Sequence, residues 1–182
     1  MRPVFTRKFE TRHVGGTDEE WTVVLEGVKA AVADLVAFRK QEGEALACKF
    51  QSKISNISQL LASVEPFEKE RVEKIRARIE ESLVKFAGVD YDRNRLEQEL
   101  IFYIEKLDVN EEKQRLSNHL QYFLETMNDG QGQGKKLGFI AQEMGREINT
   151  LGSKSNHAEM QKIVVRMKDE LEQIKEQVLN VM

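Results

Sequence analysis

Apolar residues recur every three or four positions along nearly the whole chain from Thr17 onward, the rhythm of helices that each bury one stripe. Thr17-Asp18-Glu19-Glu20 opens the first helix. Thr17 can cap free backbone N–H groups while Glu20, three residues on, completes a capping box. Trp21, Val24, Leu25, Val28, Val32, Leu35 and Val36 follow at helical spacing, and the pattern continues past Gly43 through Leu46, Phe50, Ile54, Ile57 and Leu61. One glycine inside a helix costs only about 1 kcal/mol relative to alanine, so the spacing predicts one long helix reaching Glu65-Pro66 rather than two broken at Gly43. Residues 1–16, punctuated by Pro3 and Gly15-Gly16, carry no period and read as a linker.

Pro66 opens a second helix to about residue 86, with a sparse stripe of Val72, Ile75, Ile79, Leu83 and Phe86 among Glu, Lys and Arg; Gly88 ends it. A third, continuous helix is expected over about 92–127, a flexible loop over 128–134, a fourth helix over about 135–149 and a fifth over about 156–181. In the fifth, Met160, Val164, Met167, Leu171, Ile174, Val178 and Val181 step by four and three, a coiled-coil spacing that requires a long partner helix in this chain or in another subunit. No strand pattern follows residue 17. The expected fold class is all-α, an array of about five long antiparallel helices with coiled-coil-like packing. It divides into a linker (1–16), a long helical hairpin (17–90) and a C-terminal helical region (91–182).

Composition narrows the function classes. Of the 182 residues, 32% are charged and 40% hydrophobic, which suits helices with wide solvated faces. The net charge of −3 gives no general affinity for polyanions, so a nucleic-acid contact needs a local basic patch or an assembled oligomer. Cys48 is the single cysteine, which excludes an internal disulfide and points to a reducing compartment. It lies among apolar helix residues and is expected in the core. With no membrane-length apolar run and no signal-peptide pattern, the protein reads as soluble and cytoplasmic.

Polar side chains crowd residues 134–155, and two constellations can carry chemistry. Asp108, Glu112, Arg115 and His119 step by four, three and four, which puts them on one face of the third helix. The carboxylates suit a hard cation such as Mg²⁺ or Mn²⁺, Arg115 suits a phosphate, and His119 can ligate metal or move a proton. A solvated face of i,i+3 and i,i+4 salt bridges fits the same spacing. On the fourth helix Glu143 and Glu147 share one face and Gln142 and Arg146 the next. Paired carboxylates one turn apart can share a metal or divide acid and base roles; the alternative is Arg146 held by Glu143 in a structural bridge. Asn149, Ser153 and Lys154 extend the polar run past the expected helix end, with Ser153 or Ser155 a natural cap for the fifth helix. Lys135 and Lys136, at the start of the fourth helix, can touch RNA or a partner's acids. The run Gly130–Lys136 fails as a phosphate loop, because no strand precedes it and Lys136 stands where Ser or Thr is needed. HExxH is absent, and one cysteine cannot build a structural zinc site.

Longer stretches carry a resemblance. Gln41–Leu46, Asn94–Leu100, Leu107–Glu112, Arg115–Leu120, Gln142–Ser155 and Glu170–Asn180 are similar to the C-terminal region of the YicC-like family, from about Glu19 onward. The resemblance implies a cytoplasmic bacterial endoribonuclease with RNA as partner, a divalent cation (Mg or Mn) as cofactor, and a homo-oligomer, hexameric in the family, with no membrane or DNA contact. It also implies that a further N-terminal domain is missing and that the chain is a fragment. Gly145 stands where the family usually has Asn, and Gln114 where an acid usually precedes Arg115. On this reading Asp108, Glu112, His119, Glu143 and Glu147 form the catalytic set, with Asp108, Glu112, Glu143 and Glu147 holding metal. Arg115, Lys135, Lys136, Arg146, Asn149, Ser153 and Lys154 bind RNA phosphate. A non-enzymatic RNA-binding or oligomerisation module is the alternative, with the polar cluster as an interface network.

Overall fold

The computed structural model describes residues 17–85, 93–130 and 132–181. The linker expected over 1–16 and the stop expected at Gly88 lie outside the described residues. Six helices account for nearly all of what is described: α1 (Asp18–Ala62), α2 (Glu65–Lys85), α3 (Arg93–Lys106), α4 (Asn110–Asn128), α5 (Gly134–Lys154) and α6 (Ala158–Val178). The fold class is all-α, as the apolar rhythm indicates. Two units meet in the sequence between Glu44 and Ala45, inside α1.

The first unit is described from Thr17. Its helix starts with the expected capping box, in which Glu20 N–H donates to Thr17 Oγ1 (3.3 Å) and Thr17 N–H donates to Glu20 Oε2 (2.9 Å). The helix runs through Gly43 without a break. Residues 17–44 are exposed throughout, including Trp21, Val24, Val28, Val32 and Leu35.

The second unit contains the core. Phe50, Ile54 and Ile57 of α1, Leu116, Leu120 and Phe123 of α4, Leu137, Met144 and Leu151 of α5, and Met160, Met167 and Leu171 of α6 are buried together. Full burial of such side chains contributes about 1.5–3 kcal/mol each. Phe50 and Phe123 meet edge to face, centroids 5.4 Å apart, and pin α1 to α4. Val64, fully buried, holds the corner between α1 and α2. The seam of α6 is buried from Met160 to Val178 and finds its partner helix within the chain.

That partner is α5, and glycine explains the fit. Gly134, Gly138, Gly145 and Gly152, with buried Ala141, line one side of α5. A Cβ on Gly152 would lie 2.9 Å from Val164 Cγ1, one on Gly145 3.4 Å from Leu171 Cδ2, and one on Gly138 3.7 Å from Val178 Cγ1. The ascending α5 numbers meet ascending α6 numbers in reverse, so the two helices are antiparallel and closely apposed.

Three expectations about the elements are corrected. The third helix is not continuous: it breaks at Leu107–Val109 into α3 and α4. Asp108 Oδ1 accepts the backbone N–H of Asn110 (3.2 Å) and its side-chain amide (2.8 Å), offering the backbone a turn in place of a helical step, while Val109 is buried. The fourth helix does not end near 149 but continues to Lys154. The hydroxyls of Thr150, Ser153 and Ser155 donate back to the carbonyls of Arg146, Asn149 and Leu151, so these residues do not compete for the backbone N–H groups. Neither Ser153 nor Ser155 caps α6. Gln161 closes that corner instead, its Nε2 donating to the carbonyls of Gly152 (2.6 Å) and Ser155 (2.7 Å). Cys48 is exposed, not core.

Candidate functional site

At 100° per residue, the side chains of α5 sort into four directions. Glycines face α6, and Leu137, Met144 and Leu151 face the core. Lys135, Phe139, Gln142, Arg146, Asn149 and Ser153 form an exposed ridge. Lys136, Glu143, Glu147 and Lys154 line the fourth side. Contacts at its two ends show that this side faces α4: Lys154 Nζ lies 2.8 Å from Glu112 Oε1, and Lys136 Nζ lies 4.9 Å from the Tyr122 ring centroid. The register between these ties brings His119 level with the turn Glu143–Glu147.

The end near Lys154 is a clamp. Glu112 is 5% exposed, and its Oε2 is buried without a hydrogen bond. Lys154 neutralises it and also donates to the Asp108 carbonyl (3.0 Å). Arg71 of α2, also 5% exposed, donates from Nη1 to the Lys154 carbonyl (3.0 Å) and from Nη2 to the Leu107 carbonyl (2.8 Å). It thereby satisfies the carbonyl left free where α3 breaks from α4 and joins the Asn156 N–H on the Lys154 carbonyl where α5 ends. Burial pushes the Arg71 guanidinium below its ordinary value, with Glu68 and Asp108 pulling the other way. Lys113 and Glu68 pair at 2.6 Å beside it. An open groove of about 710 Å³ runs along this region, lined by Lys69, Arg71, Glu105, Asp108, Asn110 and Lys113 among others.

These contacts redistribute the residues singled out by spacing. Asp108 precedes α4, so Asp108, Glu112, Arg115 and His119 do not form one helical line. Arg115 is exposed and paired with Glu111 on its own helix. Glu112 and Asp108 serve the clamp. Glu143 pairs with Arg146 at 3.3 Å, the bridge foreseen as the structural alternative. Glu147 is 9% exposed and has no hydrogen-bond or ion-pair partner among the described residues. The expected four-carboxylate metal set is not brought together. Glu147 and Glu143 precede Lys154 by seven and eleven residues, which puts them about 10 Å and 16 Å from the Glu112 end along the helix axis. Among the described residues no three His, Cys, Asp or Glu side chains converge as a cation needs.

Spacing gave no sign of Arg71, which sits in a helix so rich in charge that each residue reads as solvated. Phe139 was also missed, because an aromatic at helical spacing reads as core, yet it is 57% exposed. No helix among the described residues is long and apolar enough to cross a membrane.

Residues 64–182 match the family model described as endoribonuclease YicC-like, C-terminal. A probable endoribonuclease YicC of Clostridioides difficile (strain 630) is 33% identical over 165 residues, covering 88% of this chain and 56% of its own length. The probable endoribonuclease YicC of Haemophilus influenzae (strain ATCC 51907 / DSM 11121 / KW20 / Rd) is 32% identical over 151 residues, covering 82% and 52%. The chain thus spans about half the length of the curated relatives it matches.

Proposed function

The chain belongs to the YicC-like endoribonuclease family, and we propose that it supplies acid–base groups for RNA phosphodiester cleavage from the seam between α4 and α5. One observation carries the choice of residues. Glu147 packs its stem against the protein (9% exposed as a residue) while its carboxylate oxygens reach solvent without a protein partner among the described residues, on the side of α5 that faces α4. A carboxylate held by its packed stem, with its oxygens open and no protein cation upon it, is available to a substrate group. The second group is the imidazole of His119, a side chain type that exchanges protons near neutral pH. In the reaction proposed, one of the two groups takes the proton of the RNA 2′-OH as its oxygen attacks the adjacent phosphorus. The other gives a proton to the departing 5′-oxygen, leaving a 2′,3′-cyclic phosphate and a 5′-OH. Lys136, about 16 Å toward the start of α5, and Arg146, next to Glu147 on the adjoining ridge, are the cations that would receive phosphate charge.

Among the described residues no three His, Cys, Asp or Glu side chains converge on a position for the cation implied by the resemblance. Mg²⁺ commonly takes one or two carboxylates and completes its shell with water and substrate phosphate, so cation dependence is proposed for the RNA-bound protein. Cleavage of a labelled RNA by the Glu147→Gln and His119→Gln variants tests the reading. Each should lose about 10²–10⁴-fold in rate, with helix content and melting temperature retained. Parental rates in Glu147→Gln, or products with 3′-hydroxyl ends, would overturn it.

A second reading rests on a different observation. Trp21, Val24, Val28, Val32 and Leu35 are exposed along one stretch of α1, and apolar patches of that kind mark interaction surfaces. On this reading the chain is an RNA-binding or oligomerisation module. Loss of oligomers, with cleavage unaffected, on replacing Val28 and Leu35 by Gln would support that role for the stretch.

A further inference from the structure

The exposed ridge of α5 has a composition that packing does not account for. Lys135, Phe139, Gln142, Arg146, Asn149 and Ser153 fall within about 80° of arc, at 100° per residue, and every one is exposed. The ridge holds two cations and no acid in a chain whose net charge is −3. Phe139 stands in its middle, 57% exposed, one turn from Lys135 and seven residues from Arg146. On the adjoining side of α5, Lys136 holds its ammonium 4.9 Å from the ring centroid of Tyr122, which is 44% exposed. Phe139 is the one large apolar side chain that α5 exposes among the described residues, and it stands between charges.

We propose that this ridge binds single-stranded RNA, with Phe139 as a platform on which an unpaired base stacks and with Lys135 and Arg146 holding the phosphates on either side. This rests on the proposal that the chain acts on RNA and adds where, and in what form, the RNA lies. Aromatic faces between cations are the common device for single strands, because every base offers a π-face and every nucleotide a phosphate. Gln142 and Asn149 add donors and acceptors at base or sugar height. The Arg146–Glu143 pair at 3.3 Å is exposed and so exchanges readily for a phosphate contact. A paired duplex hides its base faces and cannot stack on Phe139. The ridge adjoins the side of α5 that carries Glu143 and Glu147, so a strand lying along it runs beside the seam.

The test uses the 182-residue chain and a 2′-O-methyl oligoribonucleotide, which cannot be cut through its 2′ oxygen. Phe139→Trp in a Trp21→Phe background gives an indole whose fluorescence stacking should quench. The expected result is quenching by the single strand and not by a matched duplex. Phe139→Ala should weaken single-strand binding about 5- to 150-fold, the fold-change equivalent of one stacked base. Unchanged affinity in Phe139→Ala, equal quenching by duplex, or a change only in oligomeric state on size exclusion would each overturn the stacking site. Cleavage that persists in Phe139→Ala with unaltered affinity would sink this inference and leave the proposed activity standing. Absence of RNA binding by the parental chain would sink both.

Discussion

Glu112 and Lys154 allow a sharp separation between a structural and a chemical role. The perturbations are Glu112→Gln, Lys154→Met and the two together. The pair is close (2.8 Å), and the glutamate side chain is 6% exposed while the lysine side chain is 31% exposed. Removing one member of a fully buried pair costs about 3–5 kcal/mol, because a charge is left without a partner. Water can reach the lysine end, so Lys154→Met should cost less, about 2–3 kcal/mol. Glu112→Gln leaves the ammonium bonded to the Asp108 carbonyl and to solvent, and should cost about 1–2 kcal/mol. The double variant has no stranded charge, and a coupling of about 1–2 kcal/mol should make its cost smaller than the sum of the single losses. Urea titration followed by circular dichroism reads all four proteins, with unchanged slopes as the sign that only stability moved. A coupling below about 0.3 kcal/mol, the ordinary scatter for independent sites, would refute the clamp. So would a Glu112→Gln protein of parental stability that no longer cuts RNA, since that result places Glu112 in the chemistry.

Two further outcomes follow from the packing. Arg71→Ala removes two hydrogen bonds from a charged donor to backbone carbonyls, and after recovered desolvation should cost about 3 kcal/mol, or about 6–12 °C in melting temperature. Arg71→Lys should regain less than half of that loss, because an ammonium lacks the fork that spans both carbonyls. In Gly152→Ala the new methyl would lie 2.9 Å from Val164 Cγ1, so a gain of about 1 kcal/mol in helix propensity is opposed by about 1–3 kcal/mol of overpacking. Thermal melts should show Gly152→Ala at or below the parental midpoint and part of the loss restored by adding Val164→Ala.

Much of the architecture was legible because helices advertise themselves by period. The capping box at Thr17 and Glu20, the unbroken run through Gly43 and the buried stripe of α6 needed only neighbours three or four residues apart. The breaks were not legible, because they depend on distant groups. Asp108 and Asn110 favour a turn, but the turn is held by Arg71 on α2 and Lys154 on α5, 36 and 46 residues away from their acceptors in sequence. The extension of α5 was hidden for a related reason. Thr150, Ser153 and Ser155 favour caps in isolation, yet bond back along the helix once the glycine side of α5 lies against α6. For the site, spacing put Glu143 and Glu147 on one side of their helix, but it could not show that Glu112 is committed to a lysine or that Phe139 is bare.

The polar ties of α5 do more for its rotation than for its depth of burial. Its apolar side, Leu137, Met144 and Leu151, would tolerate a small roll, since hydrophobic attraction has no direction. The glycine side facing α6 and the Lys154–Glu112 and Lys136–Tyr122 contacts with α4 do not tolerate one. A slip of one residue turns every side chain of α5 by 100°. Such a turn would take Glu147 away from the side facing α4 and replace Phe139 on the ridge. The position of the proposed acid–base group and of the proposed stacking ring are therefore set by the same contacts. A variant that weakens the clamp without unfolding the unit, such as the Glu112→Gln and Lys154→Met double substitution, should impair cleavage and single-strand binding together. Loss of one function with the other fully retained would show that the two are not held in common by the orientation of α5.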